Sequence, residues 1–305
     1  MSAGKPLTLV TLDVQAASSL LASRSTDPRQ PGKAQHPNRY RFESPHSSQA
    51  EVHLSRRFLS APAVPTRRVE FVGDSLTVGF GNVGRTWCQI TAASQSFAAL
   101  TATFLDAQLQ VTAWSGAGLT RSTQQPAALA VRLSAGSPPP NLPDFYRRSD
   151  GAQPSSLYDY NLYIPQLIVM AIGVNDFVDS SEYPVMEAWT QVYVGAINAM
   201  NAVYPGVKIV MMQYPEAMLS AFQPGSGSVT QGIDVLLPSN YPVYETYHQA
   251  AYNRAIAAGI SNVYYFEPSA RVGLFSRGCT GHPGLAGHQA ISDELIPYLK
   301  GMMAW

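Results

Sequence analysis

The sequence predicts an α/β fold: a three-layer α/β/α domain in which helices cover both faces of a parallel sheet. Three observations carry this. From Arg68 onward, short apolar runs alternate with segments of helical spacing. The runs are mainly apolar throughout, as strands buried on both faces are. Turn residues, glycine above all, punctuate the ends of the runs. Strand–helix alternation of this kind builds a parallel sheet, and such sheets gather their chemistry on loops beyond the carboxyl ends of the strands.

The elements follow in order. Residues 69–72 form a short strand closed by Gly73. Residues 94–108 place Phe97, Leu100, Thr101, Phe104 and Leu105 at helical spacing. Residues 109–114 read as a strand ending in Ser115-Gly116. The run 166–172 is strongly apolar and stops at Gly173. A helix over 185–203 ends at Tyr204-Pro205-Gly206, and 208–213 is another buried strand. Residues 244–258 are helical, with Gly259 as the expected C-cap. A strand over 263–266 and a closing helix over 286–299 complete the domain.

The first sixty residues differ. Residues 7–14 are expected as a strand, and 23–55 as loops with a short strand at 50–54. Residues 61–65 carry two prolines and read as a linker. The expected division is a partial β-rich region with its linker over 1–65 and the α/β domain over 66–305.

Composition narrows the function. Of 305 residues, 46% are apolar and 13% charged, enough to bury a sizeable core. Twenty basic residues balance twenty acidic ones, which gives no broad attraction to nucleic acid or anionic membrane. No apolar run approaches the roughly 20 residues of a membrane-spanning helix. Thr8, Thr11 and Asp13 interrupt the apolar stretch near the start, so no clear signal peptide is read there. Two cysteines are too few for a disulfide scaffold, and their spacing does not suit a zinc site. No Asn-x-Ser/Thr sequon occurs.

Four short motifs carry the chemistry. Gly73-Asp74-Ser75-Leu76 follows the first strand. A serine hydroxyl needs a base to become a nucleophile and must stand at an exposed turn, which a strand-to-helix junction provides together with free backbone N–H groups. The same residues also suit a plain strand-ending turn. Ser115-Gly116-Ala117-Gly118 follows the second strand. Glycine there lets a backbone N–H approach a developing oxyanion, although a flexible turn needs no such role. Gly173-Val174-Asn175-Asp176 follows the most apolar strand. Asn175 can offer a side-chain N–H to the same oxyanion, or simply cap a turn. Gly281-His282-Pro283-Gly284 precedes the last helix, and a loop histidine is a natural general base near neutral pH. His288 fits a structural position in that helix.

Taken together, the order Ser, Gly, Asn, His at these places resembles the SGNH (GDSL) hydrolase superfamily from about Arg68 to the end. A closer resemblance is to carbohydrate esterase family two. It rests on the segment 67–75 (Arg-Arg-Val-Glu-Phe-Val-Gly-Asp-Ser), on Gly79-Phe80-Gly81-Asn82 and on Cys88. Ala113-Trp114-Ser115-Gly116-Ala117-Gly118 and Pro143-Asp144-Phe145-Tyr146 add to it. So does Gly278-Cys279-Thr280-Gly281-His282-Pro283 with Gly287-His288. Members of that family deacetylate plant cell-wall polysaccharides, acetyl xylan esterases among them, and join an N-terminal β-sandwich to the hydrolase domain.

By residue, the resemblance makes Ser75 the nucleophile and His282 the base. The oxyanion hole comprises the backbone N–H groups of Ser75 and Gly116 and the amide of Asn175. The implied partner is an acetylated polysaccharide or oligosaccharide, with no metal or organic cofactor, an extracellular location and a monomeric state. Two departures stand out. Members with a full triad carry aspartate two residues before the histidine, where this chain has Thr280. Some carry a sugar-stacking tryptophan before the third motif, where this chain has Tyr158, Tyr160 and Tyr163, which suit ordinary packing equally well. Without an acid at 280, His282 is expected to work in a dyad, its far nitrogen held by a backbone carbonyl of Cys279 or Thr280, with Asp293 pointing elsewhere.

Cys88 and Cys279 flank the site once Ser75 and His282 meet, so a disulfide between them is expected, the alternative being two buried thiols. It would close a loop of roughly 190 residues, for which the chain-entropy model gives about 4–5 kcal/mol. Two other functions fit the motifs less well: a GDSL lipase or thioesterase, which needs a long apolar acyl groove, and an inactive carbohydrate-binding relative, to which only Thr280 points.

Overall fold

The computed structural model describes residues 63–83, 91–122, 141–151, 153–177, 183–214, 241–269, 278–279 and 282–305. The strands expected at 7–14 and 50–54 lie outside these residues. Five strands make one parallel sheet in the order β2-β1-β3-β4-β5. They are β1 (Arg67–Gly73), β2 (Ala107–Ala113), β3 (Leu167–Ala171), β4 (Lys208–Met212) and β5 (Val263–Phe266). Each falls on a run read as a strand from the sequence.

The α-helices among the described residues are α1 (Ser75–Val78), α2 (Phe97–Phe104), α3 (Leu142–Phe145), α4 (Met186–Val203), α5 (Tyr241–Ala257) and α6 (Leu285–Met303). The chain steps one way from β1 to β2 and the other way from β3 through β4 to β5. Right-handed crossovers taken in opposite directions put their helices on opposite faces. Accordingly α2 packs with α6, and α4 packs with α5. The sheet between them is dry: every residue of β3 is buried, as are Ile209, Val210, Met211 and Met212 of β4.

One expectation is corrected. The helix read over 94–108 begins at Phe97, capped by Ser96 Oγ accepting from Ala99 N at 3.3 Å, and ends at Phe104. Asp106 turns the chain with φ 51°, a left-handed conformation that aspartate tolerates better than most residues. Ala107 and Gln108 therefore open β2 instead of extending the helix. The periodicity misled because Leu105, on the helical stripe, is buried although the helix has already ended. The closing helix runs longer than expected, through Pro297 to Met303. Helix α5 ends as read: Gly259, φ 79°, donates to Ile256 O, and Ile260 N to Ala255 O, the paired bonds of a Schellman close.

Strand register sets up the site. Gly73 lies opposite Ala113 of β2 on one side and Ala171 of β3 on the other. The three strands finish level, so the loops bearing Ser75, Gly116 and Asn175 leave the sheet side by side.

Candidate active site

Gly73 ends β1 where no side chain would fit. A Cβ there would lie 2.0 Å from Thr77 Oγ1 and 2.5 Å from Ala171 O. This close approach lets the chain pass directly into α1. Asp74 caps that short helix: its backbone is extended, and its Oδ1 accepts from Leu76 N at 3.0 Å. Ser75 is thereby the first helical residue, just beyond the carboxyl end of β1 and only 7% exposed. Asp74 is fully buried, and burial pushes its carboxyl up to about 7, with the Leu76 N–H offsetting part of the rise.

Ser75 and His282 meet. Nε2 of His282 lies 2.7 Å from Ser75 Oγ, across 207 positions of sequence. The other ring nitrogen, Nδ1, lies 3.3 Å from the carbonyl oxygen of Cys279. Nδ1–H donating to that carbonyl fixes the tautomer whose Nε2 is free to accept the serine proton. The loop is held by backbone bonds: Gly278 N donates to His282 O at 2.8 Å, Cys279 N to Gly81 O at 2.9 Å, and His282 N to Cys279 O at 3.0 Å. Thr280 lies outside the described residues. Asp293 is engaged elsewhere, its Oδ1 accepting from Gln289 Nε2 at 2.7 Å on α6.

Asn175 stands in a 3₁₀ turn, Val174–Phe177, just past β3. Its Nδ2 donates to Ala117 O at 2.8 Å and lies 3.4 Å from Asp74 Oδ2. The amide is thus set between the neighbour of Ser75 and the neighbour of Gly116. Gly116 turns with φ 78° immediately beyond β2. The three loops expected to line an oxyanion hole are consequently in direct contact.

Cys279 is half of a disulfide. Cys88, the other cysteine of the chain, lies outside the described residues. His288 is not at the site's chemistry. Its Nδ1 accepts from Phe97 N at 3.1 Å, its ring stacks on Phe97, and burial keeps the imidazole neutral by lowering it to about 3. The tyrosines considered as a sugar platform are each held by a hydroxyl bond, Tyr163 buried and Tyr158 and Tyr160 half-buried. Tyr158 OH donates to Gln110 Oε1 at 2.8 Å, Tyr160 OH to Tyr146 O at 3.2 Å, and Tyr163 OH to Gln108 O at 2.8 Å.

Two residues went unassigned in the sequence. Phe80 sets its ring edge-to-face with His282, centroids 5.1 Å apart. It belongs to a quoted motif, but nothing in its spacing shows which ring it meets. Asp176 follows Asn175 directly and binds the Gly116 loop, as described below. Among the described residues, no group of three or more His, Cys, Asp or Glu side chains is placed to hold a metal ion.

The chain is 27% identical over 259 residues to the cellulase/esterase CelE of Acetivibrio thermocellus, covering 82% of this chain and 27% of that protein. It is 30% identical over 257 residues to an acetylxylan esterase/glucomannan deacetylase of Cellvibrio japonicus, covering 82% of this chain and 61% of the relative. The chain therefore spans less than two thirds of the length of either relative. The structure of a family two carbohydrate esterase from Clostridium thermocellum in complex with cellohexaose superposes with a TM-score of 0.64 at 26% identity, over 82% of this chain and 68% of that one. The family model for the GDSL-like lipase/acylhydrolase matches residues 69–295, and the chain belongs to that family.

Proposed function

We propose that this protein is a serine esterase that removes small acyl groups, acetyl above all, from plant cell-wall polysaccharide such as acetylated xylan or mannan. The observation that carries the reading is the 2.7 Å approach of His282 Nε2 to Ser75 Oγ beside the Asn175 amide. The names of the acetylxylan esterase and carbohydrate esterase relatives support acetyl as the group and polysaccharide as its bearer.

Ser75 Oγ attacks the ester carbonyl while His282 Nε2 takes its proton. The carbonyl oxygen becomes an oxyanion facing the N–H groups of Ser75 and Gly116 and the amide of Asn175. The imidazolium gives its proton to the departing sugar oxygen, leaving Ser75 acetylated. Water then repeats the sequence: His282 takes its proton, the hydroxyl adds to the acyl carbon, and Ser75 leaves with the proton as acetate forms. The Cys279 carbonyl orients His282 in a dyad.

We further propose that Cys279 pairs with Cys88, the one other cysteine in the chain, which ties the histidine loop to the segment beyond Ser75. A structural disulfide suits an oxidising, extracellular setting. The substrate reading is tested by comparing 4-nitrophenyl acetate, butyrate and octanoate, together with acetate release from acetylated xylan. Acetate esters should be hydrolysed fastest. A rate rising with chain length would replace the deacetylase by a lipase or thioesterase.

A further inference from the structure

The Gly116 loop and the Asn175 turn are joined more thoroughly than two neighbouring loops need to be. Asp176 is fully buried between them. Its Oδ2 accepts from Leu119 N at 2.6 Å. Its Oδ1 accepts from Thr120 N at 2.8 Å, Thr120 Oγ1 at 2.5 Å and Arg121 N at 3.1 Å. Three successive backbone N–H groups and a hydroxyl thus converge on one carboxylate, which has about the four lone-pair sites needed to take them all.

The joint is returned in the other direction. The Arg121 guanidinium donates to Asp176 O from Nε at 3.0 Å and Nη2 at 2.7 Å. Asn175 Nδ2 donates to Ala117 O. On its outer side the loop is tied to the start of α3, Leu142 N donating to Gly118 O and Asn141 Nδ2 to Thr120 O. Gly118 completes the fit: a Cβ there would stand 1.9 Å from Arg121 O and 2.7 Å from Asp176 Oδ2. The second glycine of the Ser-Gly-Ala-Gly motif is therefore required first by the approach of the Arg121 carbonyl and then by that of the carboxylate.

We propose that Asp176 is a positioning residue for the esterase reaction: its carboxylate fixes the separation of the loops that carry Gly116 and Asn175, so that the Gly116 N–H and the Asn175 amide are placed to serve one oxyanion as it forms. This deepens the serine-esterase reading and rests on it. Two donors on separate loops stabilise a developing charge only if their spacing is already correct, because reorganising them during the reaction would cost what the bonds return. Asp176 touches no substrate and acts through its neighbours.

The test is Asp176→Asn, which keeps the size of the side chain but not its capacity to accept four bonds. The kcat for 4-nitrophenyl acetate should fall by about 30-fold or more, approaching the roughly 10²–10³-fold loss known for removing an oxyanion donor outright, with KM changed less than about threefold. Affinity for methylboronic acid, whose serine adduct carries a negative oxygen in the same place, should weaken by a similar factor. A residue that merely staples the fold would lower thermal stability yet leave boronate affinity per folded site unchanged. That result, or a wild-type kcat, overturns the proposal.

Thr120→Val removes one of the four bonds and is the second variant. It should lower kcat and boronate affinity together by several fold. If Asp176→Asn does not fold, an unchanged Thr120→Val overturns the proposal. Asn175→Ala separates the two levels. If it keeps wild-type kcat, the oxyanion reading itself has failed. If it loses activity while Asp176→Asn does not, only the positioning role has failed.

Discussion

The two halves of the proposed site, an oxyanion half and a base half, are built differently. The oxyanion half joins the loops after β2 and β3 through a buried carboxylate, a returned guanidinium and the Asn175 amide. The base half hangs His282 on a short loop whose backbone bonds reach Gly81 and whose carbonyl at Cys279 orients the ring. The first is held by charge-assisted bonds around a buried carboxylate, which are the stronger kind. The second is held by neutral bonds, Cys279's disulfide and the edge of Phe80. The difference suits their tasks. Oxyanion donors gain from being immobile, whereas a base must move a proton between serine, sugar oxygen and water.

The comparison predicts unequal effects. Asn175→Ala strikes the oxyanion half and should lower kcat on acetyl esters by about 10²–10³-fold, with KM little changed. Steady-state kinetics on 4-nitrophenyl acetate measure it, and a loss below about tenfold would break the contrast.

On the base half, Thr280→Asp should raise kcat/KM by a few fold or preserve it, since a carboxylate near Nδ1 would stabilise the imidazolium formed during acylation. A pH–rate profile sharpens this: the rise should come with an upward shift of the acidic limb of kcat/KM, where the base must lose its proton. A large loss with an intact fold would show that the Cys279 carbonyl is an orienter that a carboxylate cannot supplement.

The smallest effect lies beneath both halves. Glu70, mid-strand in β1, is buried, and burial pushes its carboxyl from 4.5 up to about 7. It accepts from Thr112 Oγ1 at 2.7 Å, Gln110 Nε2 at 3.1 Å and Tyr146 OH at 3.3 Å. A carboxyl with a raised folded pKa contributes stability that is complete below about 4.5 and is lost as pH rises through about 7. Glu70→Gln should therefore gain on the wild type across that window, by about 1–3 kcal/mol at pH 8 relative to pH 4. Denaturant melts at the two pH values decide it. Activity at pH 8 should hardly change, because Glu70 touches neither half.

Much of this was legible from sequence because chemistry sits where strands end. Gly73, Gly116 and Gly173 each mark the exit of an apolar run, so position as well as type points to Ser75, Gly116 and Asn175 as candidates. His282 is a candidate by its place before the last helix. Asp176 was quoted in its motif but given no role, since its partners Leu119, Thr120 and Arg121 lie some 55 residues earlier and converge only through the register of β1 with β2 and β3. Phe80 escaped for the same reason. The end of α2 was misplaced because a buried Leu105 continues the helical stripe through the turn at Asp106.

The proposed chemistry stands on Ser75 as nucleophile and His282 as its activating base. Labelling with a fluorophosphonate, followed by peptide mass spectrometry, tests this, because the probe reacts with an activated serine. One adduct is expected, on Ser75, that disappears in Ser75→Ala and forms at least about 10²-fold more slowly in His282→Ala, with both variants folded. An adduct on another serine, or acetyl-ester hydrolysis persisting at more than a few per cent of wild type in Ser75→Ala, would contradict it.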